Sequence, residues 1–188
     1  PAEGVLYKDL CGFKNGEKIA AVVTLPPDAD EGFLLMATEA GEVKRLKLAD
    51  LPGMTANVFK AMDLEADDNL FGVLATTGES EVVLTTYQAQ AIRFKESDVR
   101  PTGLGAGGMR GIKLGEQRDR VVGVGLAQEN MHLWTITDDG VAKSSPLTEY
   151  PTQGRAGSGV VTMKLPKESG GLTAAVIAHM EDHITVLT

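Results

Sequence analysis

Three places in the chain carry residue types at a spacing that could do chemistry. Gly103, Gly105 and Gly108 in GLGAGG match the pattern G-x-G-x-x-G. That pattern binds a dinucleotide only between a strand and a helix whose N-terminus holds the pyrophosphate. Here RPT precedes it and the strand-like GIKL follows, so the glycines are read as shaping an inter-strand loop. His179 and His183 flank Glu181 and Asp182 in AHMEDHITV. An i, i+4 pair converges on a metal only in a helix, and this stretch reads as strand, acidic turn, strand. The expectation is solvated turn residues and no metal, while His132 lies before another strand without an evident partner. Cys11, the single cysteine, has no His near it in sequence to make it a nucleophile and is read as a small buried hydrophobe. Neither a G-x-S-x-G elbow nor a P-loop is present, and the reading is a chain without catalytic residues or cofactor.

The elements that would position side chains come from an internal repeat. LLMATEAGEVKRLKLADL at 34–51, VVLTTYQAQAIRFKESDV at 82–99 and LWTITDDGVAKSSPLTEY at 133–150 align without gaps. Thr38, Thr86 and Thr137 coincide, as do Gly41, Ala89 and Gly140, and Asp50, Asp98 and Glu149. Each copy starts as a hairpin, with alternating apolar stretches around a polar turn. A Gly-rich segment, a third apolar stretch (Gly111–Leu114, Val160–Leu165) and a fourth (121–127, 172–178) follow. Four short strands in each unit of about 50 residues mark a propeller-like blade. The expected fold is therefore all-β, with repeats at 34–81, 82–132 and 133–183, a partial one at 1–33 and the start of another at 184–188. No segment holds a 3.6-residue period, so helix should be minor. The chain opens on Pro1 and stops inside a strand-forming motif, and is read as a piece of a longer polypeptide with further blades outside it.

Charge follows the same repeat. The chain of 188 residues has a net charge of −8, which argues against a generic polyanion binder and a basic membrane-surface protein. Its 43% hydrophobic and 23% charged residues are those of a globular chain, and no run approaches the ~20 apolar residues of a membrane span. A lone cysteine excludes a disulfide scaffold and fits a reducing compartment. Yet residues 42–60, 90–113 and 142–167 together carry +8, and the acidic windows after each carry −12. The cations fall on the second hairpin strand and the Gly-rich loop after it: Lys44, Arg45 and Lys47; Arg93, Lys95, Arg100 and Arg110; Lys143 and Arg155. Equivalent positions in successive blades share one rim, and a cationic rim suits a phosphate backbone.

These stretches, with IRFKESDVRPTGLGAGGMRGIKL and GVAKSSPLTEYPTQGRAGSGV, resemble the C-terminal domain found in the gyrase A subunit of type IIA topoisomerases and in the A-type subunit of topoisomerase IV. The resemblance covers nearly the whole chain and is weakest before Gly16. It implies a β-pinwheel, a propeller-shaped ring usually of about six blades, whose basic outer rim bends duplex DNA and supports ATP-dependent supercoiling. It implies as partners duplex DNA, the ATPase B subunit, plus the rest of the A subunit, in the bacterial cytoplasm and without a membrane. Cleavage and ATP hydrolysis would lie outside this chain. All nine cations above carry over as candidate DNA contacts. The box Q-R-R-G-G-K-G of gyrases has its nearest echo in QGRAGSG at 153–159, with Ala156 and Ser158 where Gly and Lys would stand, and Leu104 stands where an arginine is usual. Gyrase and topoisomerase IV stay open on these residues. A propeller-like protein-interaction module is the alternative, and a propeller enzyme ranks behind both, because the inner strands are mostly Val, Leu, Ala and Gly.

Overall fold

The computed structural model describes residues 4–5, 16–26, 29–53, 58–115, 118–165 and 170–187. Cys11 lies outside them. Eleven strands form among the described residues: β1 (Phe33–Thr38), β2 (Glu42–Lys47), β3 (Leu70–Thr76), β4 (Glu81–Thr86), β5 (Gln90–Lys95), β6 (Met109–Arg110), β7 (Val121–Ala127), β8 (Met131–Thr137), β9 (Ala142–Pro146), β10 (Val160–Val161) and β11 (Leu172–His179). Among the described residues the helical content is three single 3-10 turns at Leu48–Asp50, Glu96–Asp98 and Leu147–Glu149. Among the described residues no helix is long and apolar enough to cross a membrane.

The coinciding threonines and glycines make the hairpin turns. Thr38, Thr86 and Thr137 each end the first strand, and their hydroxyls accept the amides of Glu42 (3.1 Å), Gln90 (3.4 Å) and Val141 (2.9 Å). The turn then needs a left-handed residue, supplied by Gly41 (φ 83°), Ala89 (φ 59°) and Gly140 (φ 87°). The ladder between the first and last strand of each repeat also shifts register beside the threonine, between Ala37 and Thr38, Thr85 and Thr86, and Leu172 and Ala174.

The sheets run β3-β1-β2-β6, β10-β5-β4-β7 and β11-β8-β9. The outermost strand of each complete sheet therefore comes from the following repeat: β6 pairs with β2, and β10 pairs with β5. The third strand differs from the sequence expectation in place. It lies at Met109–Arg110 rather than Gly111–Leu114, and only Val160–Val161 of the later stretch is strand. Gly111, just after β6, packs against Val43 and Leu84, whose side-chain carbons lie 2.8 Å from where a Cβ on it would sit, so a larger residue would not fit there. Ile184–Leu187, expected to open another repeat, carries no strand.

The middle sheet is covered on both faces, which is why β4 reads as a continuous apolar run instead of alternating with polar residues. Val82 and Leu84 pack with Leu35, Val43, Phe94 and Ile112 of one core, while Val83 packs with Leu133 and Ala175 of the next. The sheets approach closely along their innermost strands: a Cβ on Gly123 would lie 2.7 Å from the Ala175 carbonyl oxygen.

Candidate nucleic-acid interface

The nine sequence-selected cations sit on β2, β5, β9, β6 and the loops that carry the exchanged strands outward, but they do not share one environment. Lys47, Lys95, Arg100 and Arg110 are exposed, and their side chains make no hydrogen bond or ion pair to the described residues. Lys47 and Lys95 end equivalent strands in adjacent sheets, whereas Arg110 pairs with Glu42 at the start of β2 and Arg100 lies in the loop before β6. Lys143 is also exposed, although its ammonium donates to the Thr162 carbonyl at 2.6 Å.

Lys44 and Arg45 are buried, where the sequence pattern placed them outside. Lys44 lies beneath the incoming loop of the next repeat and donates to the carbonyls of Ala61 (2.7 Å), Gly103 (2.6 Å) and Ala106 (2.9 Å). Three N–H groups meet three acceptors, which satisfies the ammonium completely. Burial holds its pKa below the ordinary lysine value.

Arg45 and Arg93 occupy equivalent positions and solve the same problem in two ways. Arg45 stacks 4.3 Å over the Phe33 ring and reaches the Glu96 carboxylate at 3.7 Å. Glu96 is fully buried and accepts the Thr76 hydroxyl at 2.5 Å and the amides of Gly78 (2.8 Å) and Ser80 (2.7 Å). Arg93 donates from Nε to Glu81 at 2.8 Å and from Nη2 to the same oxygen, and from Nη1 to the Leu147 carbonyl at 3.1 Å. Glu81 stands where Phe33 stood, and Leu147 where Glu96 stood. Both arginines therefore tie one hairpin to the 3-10 turn of the next. In the third repeat Ser144 replaces the arginine and meets His132 Nδ1 at 3.0 Å, giving that histidine the partner the sequence did not show.

Glu81 and Glu96 escaped sequence reasoning because their neighbours are far along the chain. The Thr152 hydroxyl, bonded to Glu81 at 2.6 Å, and then the Arg93 guanidinium hold the Glu81 carboxyl below the ordinary carboxylate range, against the opposing push of burial. A depressed folded-state pKa stabilises the fold above the unfolded value near 4.5 and is lost as pH falls through the folded value. The stability gap between wild type and Glu81→Gln should thus close on acidification, as read from melting temperatures measured from neutral pH to below 4.5. A gap that widens in acid would contradict this assignment. Glu42, pushed up mainly by burial, acts in the opposite sense: its ionisation on raising pH disfavours the fold.

Among the described residues no group of three or more His, Cys, Asp or Glu could hold a metal ion. The His179 amide donates to Asp182 at 2.8 Å within an exposed turn. The GLGAGG loop is followed by β6 and no helix, and two of its carbonyls bind Lys44, so its polarity faces a side chain of this chain.

Antiparallel sheets packed face to face, the first two each completed by a strand of the following repeat, define a propeller-type domain built from strand-exchanging blades. The chain belongs to the DNA gyrase C-terminal domain, β-propeller family, whose model matches residues 32–77, 80–128 and 132–179. It is 33% identical over 187 residues to the DNA gyrase A subunit of Dehalogenimonas lykanthroporepellens, covering all of this chain and 23% of that protein. Over 189 residues it is 30% identical to the DNA gyrase A subunit of Mycobacterium leprae, again over all of this chain and 15% of the relative. The chain thus spans under a quarter of the length of these curated relatives. Among solved structures, the C-terminal domain of DNA topoisomerase IV superposes with a TM-score of 0.82 at 26% identity, over 94% of this chain and 55% of that one. The DNA gyrase A C-terminal domain superposes with a TM-score of 0.81 at 23% identity, over 94% and 59%, a likeness of fold.

Proposed function

We propose that this chain is the DNA-wrapping domain of a gyrase A subunit, holding duplex DNA against its outer edge through phosphate contacts. The observation that carries the reading is the set of exposed cations Lys47, Lys95, Arg100 and Arg110, whose side chains form no ion pair with the described residues. The family match and the gyrase names of its relatives support it. The exposed Lys143 and the partly exposed Arg93 and Arg155 would add to these contacts, while Lys44 and Arg45 act from inside by fixing the blades. Bending DNA on this edge would support ATP-dependent supercoiling in the bacterial cytoplasm. The rest of the A subunit would carry strand cleavage, with ATP hydrolysis in the B subunit, leaving no cofactor or catalytic residue to this chain.

If these cations contact phosphates alone, affinity should be uniform across duplex sequences and steep in salt. Each phosphate contact contributes about 0.9 to the log–log salt slope. Reversing Lys47, Lys95, Arg100 and Arg110 to Glu together should remove at least about 3 from that slope, measured by filter binding of a mixed-sequence duplex. Wild-type binding that is absent at low salt, or indifferent to salt, would sink the reading.

A further inference from the structure

The Gly-rich loops that carry β6 and β10 outward occupy equivalent seams, one between the first and second sheets and one between the second and third. They are secured by cations arriving from opposite sides. In the first seam Lys44 rises from β2 and holds the carbonyls of Gly103 and Ala106, while Leu104 in the loop above is 41% exposed. In the second seam the sheet offers Ile92 in place of Lys44, its Cδ1 3.6 Å from where a Cβ on Gly157 would sit. The loop itself supplies the cation: Arg155, standing where Leu104 stood, donates from Nε to the Asp98 carbonyl at 3.0 Å and from Nη1 to the Arg110 carbonyl at 2.9 Å. Where one seam has a lysine below and a leucine above, the other has an isoleucine below and an arginine above.

We propose that Arg155 is a positioning residue of the DNA-binding edge, doing for the second seam what Lys44 does for the first. Its acceptors are informative. One is the backbone of Arg110, and the other ends the turn leading into Arg100, both of them among the four exposed cations named above. A guanidinium bonded to both carbonyls sets the spacing between these two side chains and docks the loop against Gly111, whose carbonyl accepts the Ala156 amide at 2.7 Å. The importance of that spacing rests on the DNA-wrapping reading; the latch itself does not.

Two variants separate a latch from a simple phosphate ligand. Arg155→Leu installs the residue of the neighbouring seam, and Arg155→Leu with Ile92→Lys moves that seam's whole solution across. Amide exchange of Gln153 and Ala156 should quicken at least about tenfold in the single variant, the loss of one charge-assisted hydrogen bond, and slow again in the double variant. The DNA salt slope should drop by more than the ~0.9 of one phosphate in the single variant, and the double variant should recover all but that one contact. Unchanged exchange in Arg155→Leu overturns the latch, as does a slope change of one phosphate that Ile92→Lys leaves unrestored. Should the double variant not fold, exchange in Arg155→Leu decides alone. Wild-type protein that binds no duplex overturns the wrapping reading and leaves the latch to be judged by exchange.

Discussion

Replacing Glu96 with Ala should destabilise the domain by about 3–5 kcal/mol, the usual loss when one member of a buried ion pair is removed. The carboxylate accepts three hydrogen bonds and faces the Arg45 guanidinium, whose Nε is buried without an acceptor. Deleting it orphans the Thr76 hydroxyl and the amides of Gly78 and Ser80, and leaves the cation held by the Phe33 ring. A 188-residue chain loses about 2–4 °C of Tm per kcal/mol, so the variant should melt about 10 °C early. The second seam suggests the rescue, because there Leu147 takes the place of Glu96 and the arginine pairs with Glu81 instead. Glu96→Leu with Phe33→Glu should therefore regain stability over Glu96→Leu alone. If urea melts of Glu96→Ala match wild type, the buried network contributes nothing and the seam is held by apolar packing.

Lys44→Ala should cost a comparable amount, about 3–4 kcal/mol, for a different reason. No ion pair is broken, but three carbonyl oxygens lose their donor and the lysine stem leaves a cavity under the exchanged loop. Lys44→Met refills most of the volume and should recover about half of the loss, because Ile92 shows that the equivalent position of the second blade accepts an apolar side chain. The two variants divide the cavity from the hydrogen bonds in one urea titration. Both lying within about 0.5 kcal/mol of wild type would mean that the ammonium is dispensable.

The hairpins were legible in the chain because each packs its own information locally: a threonine to accept the turn amide, a left-handed glycine or alanine three residues on, alternation on either side. So were the blade repeat and the last strand of each unit. The exchange of strands was not, because β6 and β10 are two residues long and carry no periodicity, and their partners lie in the preceding repeat. Two of the cations expected at the edge were misplaced, being buried. Lys44 and Arg45 follow one another on β2, whose residues from Val43 to Leu46 are all buried, because the next repeat's loop covers the face that would otherwise meet water. Alternation tells inside from outside only where one face of a sheet is solvated, and this architecture removes that condition. Glu96 was hidden for the same reason: its sequence neighbours Lys95 and Ser97 are exposed, and nothing local marks it as interior.

The borrowing of an outer strand bears on how such a chain can change its length. A duplicated unit of 48 to 51 residues, the spacing between these repeats, would complete the sheet before it and be completed by the one after, so every pairing closes again. The cut can fall at any phase of the unit, provided that it falls at the same phase twice. A duplication of any other length leaves one edge unpaired and exposes its amides and carbonyls to association with another molecule. Inheritance of whole repeats is thereby tolerated and inheritance of fragments is not, a rule imposed on the gene by where one two-residue strand makes its hydrogen bonds.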